Sequence, residues 1–387
     1  MSRLDEHLQA ALTRVSDAGR RRVLRPATLL PGGRIERDGR TLIDFSSNDY
    51  LGLATHPLLA ERAREWTARH GTGSGASRLV TGTSDAMLAL EARVAAFKHA
   101  ETALVFASGW QANAAAIPAL LAALPGAAVF ADRLIHASMH AGLAIADARQ
   151  HRFRHNDLPH LEELLATKGA DAPFRVILTE SVFSMDGDLA DLPRLSALAR
   201  AHDAFLFVDE AHATGVLGPG GAGLSAMVPG GIDVTMGTFS KGLGGFGAYI
   251  AGSRALVDWL VNAASGFVFS TAPPPAVFGA IDAALDLVPA MDAERAHLAR
   301  LGDRLRGGLA RLGIDHGASA SPIVPAVIGA EKAAMALSRA LEDRGFLAAA
   351  IRPPTVPPGT SRLRIALRAG HGEADIDALL EAIDACR

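Results

Sequence analysis

Hydrophobic residues recur along this chain with two different spacings. Over residues 4–15 they recur every three or four positions among charged residues, which predicts an amphipathic helix. Residues 34–45 instead alternate and contain Asp38-Gly39, a sequence typical of a β-hairpin turn. An irregular loop is predicted over residues 46–52. Further helices are predicted over residues 58–70 and 86–97, on either side of the glycine-rich loop Gly71–Arg78.

From about residue 100, short apolar runs alternate with helical ones. Apolar strands separated by helices are typical of βαβ units, in which a mainly parallel sheet is covered on both faces. The predicted fold class is therefore α/β, with a large domain built on a mainly parallel seven-stranded sheet. The predicted strands are residues 103–106, 128–131, 152–154, 175–179, 205–208, 234–238 and 248–250, and helices such as 113–124, 158–166 and 192–202 lie between most of them.

The pattern changes again after the prolines at 273–275. A long helical region over residues 277–312 is followed by mixed strands and helices, which predicts a smaller α+β domain. We therefore expect three parts: an N-terminal helix and hairpin segment (1–45), a large domain (46–275) and a C-terminal small domain (276–387). The small domain is predicted to contain strands at 322–327, 347–352 and 362–366 and helices at 332–344 and 374–385.

Composition narrows the class of protein. The 387 residues are 49% hydrophobic and 20% charged, as in a soluble globular protein, and the net charge of −3 gives no reason to expect a nucleic-acid partner. The single cysteine, Cys386, cannot form an intrachain disulfide. The N-terminus has no apolar signal segment, and the most apolar stretch, residues 112–124, is too short to span a bilayer. We expect a cytoplasmic protein without a membrane partner.

Lys241 is the first candidate for chemistry. It lies between two apolar runs, with the hydroxyl residues Thr238 and Ser240 just before it and glycines after it. A lysine in apolar surroundings normally forms an ion pair or takes part in chemistry. When water is removed its amine loses proton affinity and becomes a nucleophile, as Schiff-base enzymes require, and the neighbouring hydroxyls suit a phosphate. A turn lysine that faces solvent is the alternative.

Two further motifs lie at the carboxyl ends of predicted strands, where open α/β sheets bind ligands. Ser108-Gly109-Trp110 follows a strand and begins a helix, so its free amides could hold a phosphate. Asp209 ends an apolar strand, with His212 one turn later. A carboxylate there needs a cation or strong donors, and the protonated nitrogen of a pyridine ring would serve. An ordinary turn and a structural Asp–His pair are the alternatives.

Competing motifs can be weighed against the rest of the sequence. His136 and His140 are four residues apart, but no HExxH motif or cysteine pair supports a metal site, and none is predicted. The DEAH sequence ending at His212 would suggest a helicase, but the GxxxxGK[ST] phosphate loop is absent from the sequence. Residues 242–247 match GxGxxG, yet a strand follows where a dinucleotide-binding fold requires a helix.

In this order, the motifs resemble the pyridoxal-phosphate (PLP) enzymes of fold type I, and within them the α-oxoamine synthase family. The resemblance extends from about Leu42 to the C-terminus. It implies the PLP-dependent transferase fold, PLP as the cofactor, a homodimer, and a reaction that joins an amino acid to an acyl thioester with release of carbon dioxide. The motifs that carry it are Phe45–Gly52, Ser108-Gly109, Thr179–Gly187, Val208–His212 and Thr238–Lys241.

The substrates are suggested by shorter segments. Ile351–Arg364, His155–Asp157 and Phe183–Gly187 resemble the family member that joins L-alanine to a pimeloyl thioester, on coenzyme A or on a carrier protein, in biotin biosynthesis. A sister synthase that joins glycine to acetyl-CoA is the nearest alternative. A nucleotide-binding module without PLP and a non-catalytic binding protein on the same fold are more distant ones.

The resemblance also implies a role for each candidate residue. Lys241 would bind the cofactor covalently and then act as the base at the substrate Cα, while Asp209 would bind the pyridinium nitrogen. His136 would stack on the ring and contact substrate. The remaining cofactor contacts would be Ser108, Gly109, Trp110 and Thr238 at the phosphate and Ser184 and His212 at the phenolic oxygen; Arg352 would bind the amino-acid carboxylate, and Thr355 and Arg20 the acyl substrate.

Overall fold

The computed structural model describes residues 2–387. Its α-helices are α1 (Arg3–Asp17), α2 (Pro57–His70), α3 (Asp85–Phe97), α4 (Gly109–Ala123), α5 (Ala137–Ile145), α6 (Leu158–Lys168), α7 (Leu192–Ala201), α8 (Arg254–Ala263), α9 (Ser265–Val268), α10 (Pro275–Leu287), α11 (Asp292–Arg311), α12 (Glu331–Asp343) and α13 (Glu373–Cys386). Its strands are β1 (Thr28–Leu30), β2 (Arg34–Arg37), β3 (Arg40–Asp44), β4 (Thr102–Phe106), β5 (Ala128–Asp132), β6 (Gln150–Phe153), β7 (Arg175–Glu180), β8 (Ala204–Asp209), β9 (Val234–Thr238), β10 (Ala248–Gly252), β11 (Ile323–Gly329), β12 (Phe346–Leu347), β13 (Ala349–Ile351) and β14 (Ser361–Ala366).

The predicted α/β fold and its large sheet are confirmed. Seven strands form one sheet in the order β4-β10-β9-β8-β7-β5-β6, and only β10 runs antiparallel to its neighbours. Side chains alternate between its two faces. In β7, Ile177 packs with leucines of α6 and α7, whereas Val176 and Leu178 pack with α4 and α5. Because both faces are covered, every strand except the edge strand β6 is largely apolar.

The N-terminal hairpin joins the C-terminal part of the chain. β1, β2 and β3 form a sheet that β12 extends by parallel pairing with β3. The predicted turn at Asp38-Gly39 is confirmed, because both residues adopt the left-handed backbone conformation that a tight hairpin needs. β11, β14 and β13 form a third sheet. The division at residues 45 and 275 stays a prediction.

Some boundaries differ from those predicted. The helical region 277–312 is interrupted by a 3-10 turn, Val288–Ala290, because Pro289 cannot donate a backbone hydrogen bond to a continuous helix. The strand predicted over residues 347–352 is divided between β12 and β13, which pair with different sheets. Within residues 2–387, no helix combines the length and the apolar composition needed to cross a membrane.

Candidate active site

A cavity of about 230 Å³ opens at the carboxyl ends of β8 and β9, beside the first turn of α4. The structure therefore brings together side chains from distant motifs at the edge of the sheet where ligands bind in this type of fold. Seven of the predicted residues line the cavity, namely Gly109, Trp110, His136, Asp209, His212, Thr238 and Lys241, together with Ser138, Glu180, Ala211, Met236 and Ser240.

Lys241 lies in the turn between β9 and β10. Its backbone carbonyl accepts a hydrogen bond from Gly244, at 2.9 Å. Gly244 has a positive φ of 64°, and an added Cβ would collide with the backbone of Leu53, so the turn requires glycine here. The lysine side chain lines the cavity rather than the outer surface, which argues against a solvent-facing turn lysine.

The surroundings of Lys241 change its acidity. Burial lowers the pKa of its amine to about 8, against the opposing effect of the Asp209 and Glu180 carboxylates; Arg364 lowers it further. About a tenth of the amine is therefore uncharged at pH 7, against less than about a thousandth for a lysine of ordinary pKa. An uncharged amine is the form that can act as a nucleophile or accept a proton.

Asp209 is almost fully buried at the end of β8. Its Oδ2 accepts a hydrogen bond from Nδ2 of Asn113, and its Oδ1 accepts one from the backbone N–H of Ala211, both at 2.9 Å. Within residues 2–387 no lysine, arginine or histidine lies within ion-pair distance of this carboxylate. A buried carboxylate held only by neutral donors is suited to a cationic ring nitrogen.

His136 forms the N-terminal cap of α5. Its Nδ1 accepts a hydrogen bond from the backbone N–H of Ser138 at 3.2 Å and lies 2.7 Å from the Ser138 hydroxyl. These contacts place the ring proton on Nε2. Burial lowers the pKa of His136, against the attraction of Asp209, so the ring is neutral at neutral pH. Its imidazole stands edge to face with Trp110, with 6.4 Å between centroids.

The first turn of α4 has the properties of an anion cradle. The Ser108 hydroxyl caps the helix by accepting from Gln111 N–H at 3.1 Å, so it serves the helix rather than the cavity. Gly109 and Trp110 follow, and the first N–H groups of a helix have no partners within it. A Cβ added to Gly109 would lie 2.8 Å from Cγ2 of Thr238, so a side chain here would crowd the cradle.

Three buried residues near the cavity were not among the predicted site residues. Glu180 lines the cavity at the end of β7; burial and the nearby Asp209 raise the pKa of its carboxyl well above the usual range. Arg364 donates from Nε to the carbonyl of Ser184 at 2.5 Å and from Nη2 to Oδ1 of Asn48 at 3.0 Å. Tyr50 lies with its hydroxyl 2.6 Å from Nδ1 of His212.

Of the residues predicted to bind substrate, His136 lines the cavity, whereas the other three lie together outside the lining. Arg20 pairs with Glu331 at 3.2 Å, and Arg352 pairs with the same carboxylate at 3.4 Å while donating to the carbonyl of Gly19. Thr355 donates its N–H to the carbonyl of Arg352 at 3.1 Å. Ser184, predicted to contact the cofactor, does not line the cavity either; its described contact is the carbonyl that accepts from Arg364.

The model of one protein family, "Aminotransferase class I and II", matches residues 40–383. The chain belongs to the aminotransferase class I and II family. A family member from Gluconacetobacter diazotrophicus, an 8-amino-7-oxononanoate synthase, is 58% identical over 99% of this chain and 98% of its own length. The similarity therefore covers every part of the cavity described above.

Two solved structures resemble this member of the family over most of its length. Serine palmitoyltransferase (SPT) with a PLP internal aldimine superposes with a TM-score of 0.90 at 28% identity, covering 100% of this chain and 98% of SPT. The 8-amino-7-oxononanoate synthase of Francisella tularensis superposes with a TM-score of 0.77 at 26% identity, and the match covers 89% of this chain and 97% of that synthase. The fold type inferred from the sequence motifs is confirmed.

Proposed function

We propose that this chain is a PLP-dependent 8-amino-7-oxononanoate synthase. It is an acyltransferase that condenses L-alanine with a pimeloyl thioester and releases carbon dioxide, a free thiol and 8-amino-7-oxononanoate in biotin biosynthesis. The observation that carries the proposal is a cavity combining the Lys241 amine, the unpaired Asp209 carboxylate and the α4 amides, in a chain that matches enzymes of this name over its whole length.

The residues of the cavity fit PLP. The phosphate would lie at the first turn of α4 beside Thr238, where Gly109 leaves room. Asp209 would hold the ring nitrogen in its protonated form, because that carboxylate has hydrogen-bond donors but no cation. When bound there, PLP supplies an electron sink for the negative charge that develops on the substrate α-carbon.

The protein's own groups then manage protons around that carbon. With a pKa of about 8, the amine of Lys241 can accept the proton removed from Cα and return one later. His136 is neutral, and its Nε2–H is free of the contacts that bind Nδ1, so it can donate to a carbonyl oxygen of the substrate. Trp110 lines the cavity beside that imidazole and stands edge to face with it.

Two arginines are candidates for the amino-acid carboxylate. The sequence motif favours Arg352, but in this structure its guanidinium is engaged with Glu331 and with the chain near Gly19. Arg364 is buried close enough to the cavity to lower the pKa of Lys241. Unlike Arg352, its guanidinium has no carboxylate within ion-pair distance in residues 2–387. We therefore assign the alanine carboxylate to Arg364 and place Arg352 on the acyl side.

The acyl substrate would meet the group formed by Arg20, Arg352 and Thr355. A pimeloyl chain ends in a carboxylate, and paired guanidinium groups bind carboxylates through charge-assisted hydrogen bonds. Glu331 occupies both arginines here, so the substrate carboxylate would have to share or replace that contact. The sequence and the structure leave both coenzyme A and a carrier protein as possible thiol carriers.

The test is a comparison of two substrate pairs. Purified protein loaded with PLP is given L-alanine and pimeloyl-CoA, or glycine and acetyl-CoA, and free thiol and the amino ketone product are quantified. Turnover with the first pair at least about tenfold above the second, a discrimination within reach of one pocket, supports the proposal. The reverse preference would identify a sister synthase. Failure of the protein to bind PLP would reject the cofactor and the reaction together.

We also propose that the protein is a cytoplasmic homodimer. Around the glycine-rich loop, Leu79, Val80 and Phe269 are 52%, 74% and 85% exposed, and the leucines along one face of α1 are exposed as well. Clustered exposed apolar side chains are typical of protein interfaces. Light scattering coupled to gel filtration would give twice the 40.2 kDa chain mass for a dimer. Cell fractionation tests the location.

A further inference from the structure

His212 and Tyr50, 162 positions apart in sequence, form a hydrogen bond. Which of the two atoms donates determines whether Nε2 of His212 carries a proton toward the cavity. The Tyr50 hydroxyl lies 2.6 Å from Nδ1 of His212 and 3.3 Å from Oδ1 of Asn48. His212 lines the cavity, and its Nε2 has no hydrogen-bond partner within residues 2–387. One nitrogen of His212 therefore contacts Tyr50, and the other is available to a group in the cavity.

Two proton orders are compatible with these atoms. In the first, Tyr50 donates to Nδ1, and the ring proton of His212 is on Nε2. In the second, Nδ1–H donates to the tyrosine oxygen, and Tyr50 donates to Asn48. O–H···O hydrogen bonds are normally about 2.5–3.0 Å long, so the 3.3 Å contact to Asn48 is a poor place for the tyrosine proton. That amide oxygen also accepts from Arg364 already, at 3.0 Å.

We propose that Tyr50 fixes the ring proton of His212 on Nε2 and so makes this histidine a hydrogen-bond donor toward the cavity. Tyr50 is a positioning residue in this scheme, because it acts through His212. The group that receives the bond is an anionic oxygen, and under the proposed function it is the phenolic oxygen of PLP. That last step rests on the proposed function, whereas the tautomer does not.

The protonation states support this order. Burial raises the pKa of Tyr50, so its hydroxyl keeps its proton at neutral pH. Burial, with the nearby Lys241 and Arg364, lowers the pKa of His212 well below its usual value. The imidazole is therefore neutral and has one nitrogen able to accept from the tyrosine.

Tyr50 is also held firmly enough to act in this way. Its ring is 1% exposed and stands edge to face with the imidazole. Its carbonyl accepts from Ala369 N–H at 2.7 Å, and the preceding residue, Asp49, is ion-paired to the buried Arg368 at 2.6 Å. The hydroxyl is thus placed by the packing of two distant segments, and it has no need of the cofactor to reach His212.

The tautomer can be read directly. Full-length cofactor-free protein with ¹⁵N-labelled histidine is examined by two-dimensional ¹H–¹⁵N NMR, which correlates the carbon-bound protons of each imidazole with its two nitrogens. The signals of His212 are assigned by their loss in a His212→Asn variant. The proposal expects a protonated Nε2 and an unprotonated, hydrogen-bonded Nδ1. A wild-type ring protonated on Nδ1 would overturn it, whether or not any variant is stable.

The second measurement uses the two tyrosines of the chain as a matched pair. Tyr50→Phe and Tyr249→Phe each remove one buried hydroxyl, but Tyr249 bonds to Thr214 at 2.8 Å and does not line the cavity. Tyr50→Phe should release the His212 tautomer and weaken PLP binding roughly two- to tenfold, the effect of losing one neutral hydrogen bond. Tyr249→Phe should leave both unchanged.

The outcomes separate this inference from the proposed function. If Tyr50→Phe and Tyr249→Phe show the same His212 tautomer and the same PLP dissociation constant, the role of Tyr50 is rejected. If the wild-type protein does not bind PLP at all, the proposed function fails, while the NMR result still decides the tautomer. A shifted tautomer with unchanged PLP affinity would reject the donor role of His212 toward the cofactor.

Discussion

The Nε of Arg364 donates a hydrogen bond to the backbone carbonyl oxygen of Ser184 at 2.5 Å. This bond fixes a guanidinium from the third sheet against the loop that follows β7 in the large sheet. The positive charge of Arg364 acts on groups that line the cavity, because it lowers the pKa of Lys241 and of His212. Arg364 therefore links the C-terminal part of the chain to the candidate site.

Exchange of the two candidate arginines should separate their roles. Arg364→Gln should raise the apparent KM for L-alanine about ten- to hundredfold, because a hydrogen bond to a charged group contributes about 1.5–3 kcal/mol. Arg352→Gln, the matched variant, should raise the KM for the pimeloyl thioester and leave that for L-alanine nearly unchanged. Steady-state kinetics with each substrate varied in turn makes the comparison. The opposite pattern would return the alanine carboxylate to Arg352.

Crowding the proposed phosphate cradle should weaken PLP binding, and relieving the crowding should restore it. Gly109→Ala places a methyl group 2.8 Å from Cγ2 of Thr238, so PLP should bind at least about tenfold less tightly, as for overpacking of roughly 1–3 kcal/mol. Thr238→Ser removes that methyl group but keeps the hydroxyl. The double variant should therefore recover most of the affinity in a fluorescence titration. Additive losses in the double variant would contradict the cradle.

Most strands of the large sheet could be predicted because they are short, nearly continuous apolar runs. The edge strand β6 is largely polar, and its predicted start at residue 152 is two positions too late. Residues at the ends of these strands, such as Asp209 and Lys241, could then be assigned to one edge by the general rule for open sheets. The local hydrophobic pattern and one topological rule were thus sufficient to predict most of the candidate residues that line the cavity. The same reasoning found Gly109 and Trp110 at the start of α4.

The residues that were missed depend on long-range packing. Arg362 and Arg364 are two positions apart in β14 and so point to the same side, yet one pairs with Asp186 and the other reaches Ser184. Their sequence context does not distinguish these partners. Tyr50 lies in a motif that was interpreted as a loop and as part of the family resemblance, without a role for the tyrosine, and its partner His212 is 162 positions away. Such contacts follow from how the sheets pack together, which periodicity does not encode.

The acidity of Lys241 predicts how PLP should attach to cofactor-free protein. Only the uncharged amine attacks a carbonyl carbon, so the rate of covalent attachment should rise roughly tenfold per pH unit below about 8 and level off above it. Stopped-flow absorbance and borohydride trapping report this rate. Lys241→Ala should trap no PLP, whereas Lys332→Ala, at an exposed lysine, should behave as wild type. A rate independent of pH from 6 to about 9 would reject the shifted pKa.

The last prediction concerns His155, which bridges two buried carboxylates. Its Nδ1 lies 3.0 Å from Oδ1 of Asp132, and its Nε2 lies 2.8 Å from Oδ2 of Asp188. Burial alone would lower the pKa of His155, but the hydrogen bonds and charges of the two aspartates outweigh burial and raise it to about 10. The imidazolium thus ties the end of β5, from which the chain leads to His136, to the loop after β7.

A histidine whose pKa is higher in the folded than in the unfolded protein stabilises the fold most at low pH. The contribution is complete below the unfolded pKa of about 6.5 and is lost progressively as pH rises toward the folded value of about 10. His155→Gln should therefore lower the free energy of unfolding by about 3 kcal/mol at pH 6, as for loss of one partner of a buried ion pair, and by much less near pH 9.5. Urea unfolding of the cofactor-free protein at both pH values measures this difference. His160→Gln is the control, because this imidazole lies in the same segment but accepts only the backbone N–H of Arg154, and the variant should show no such pH dependence. An equal loss for His155→Gln at both pH values would mean that the ring acts by packing against Phe183 rather than by its charge.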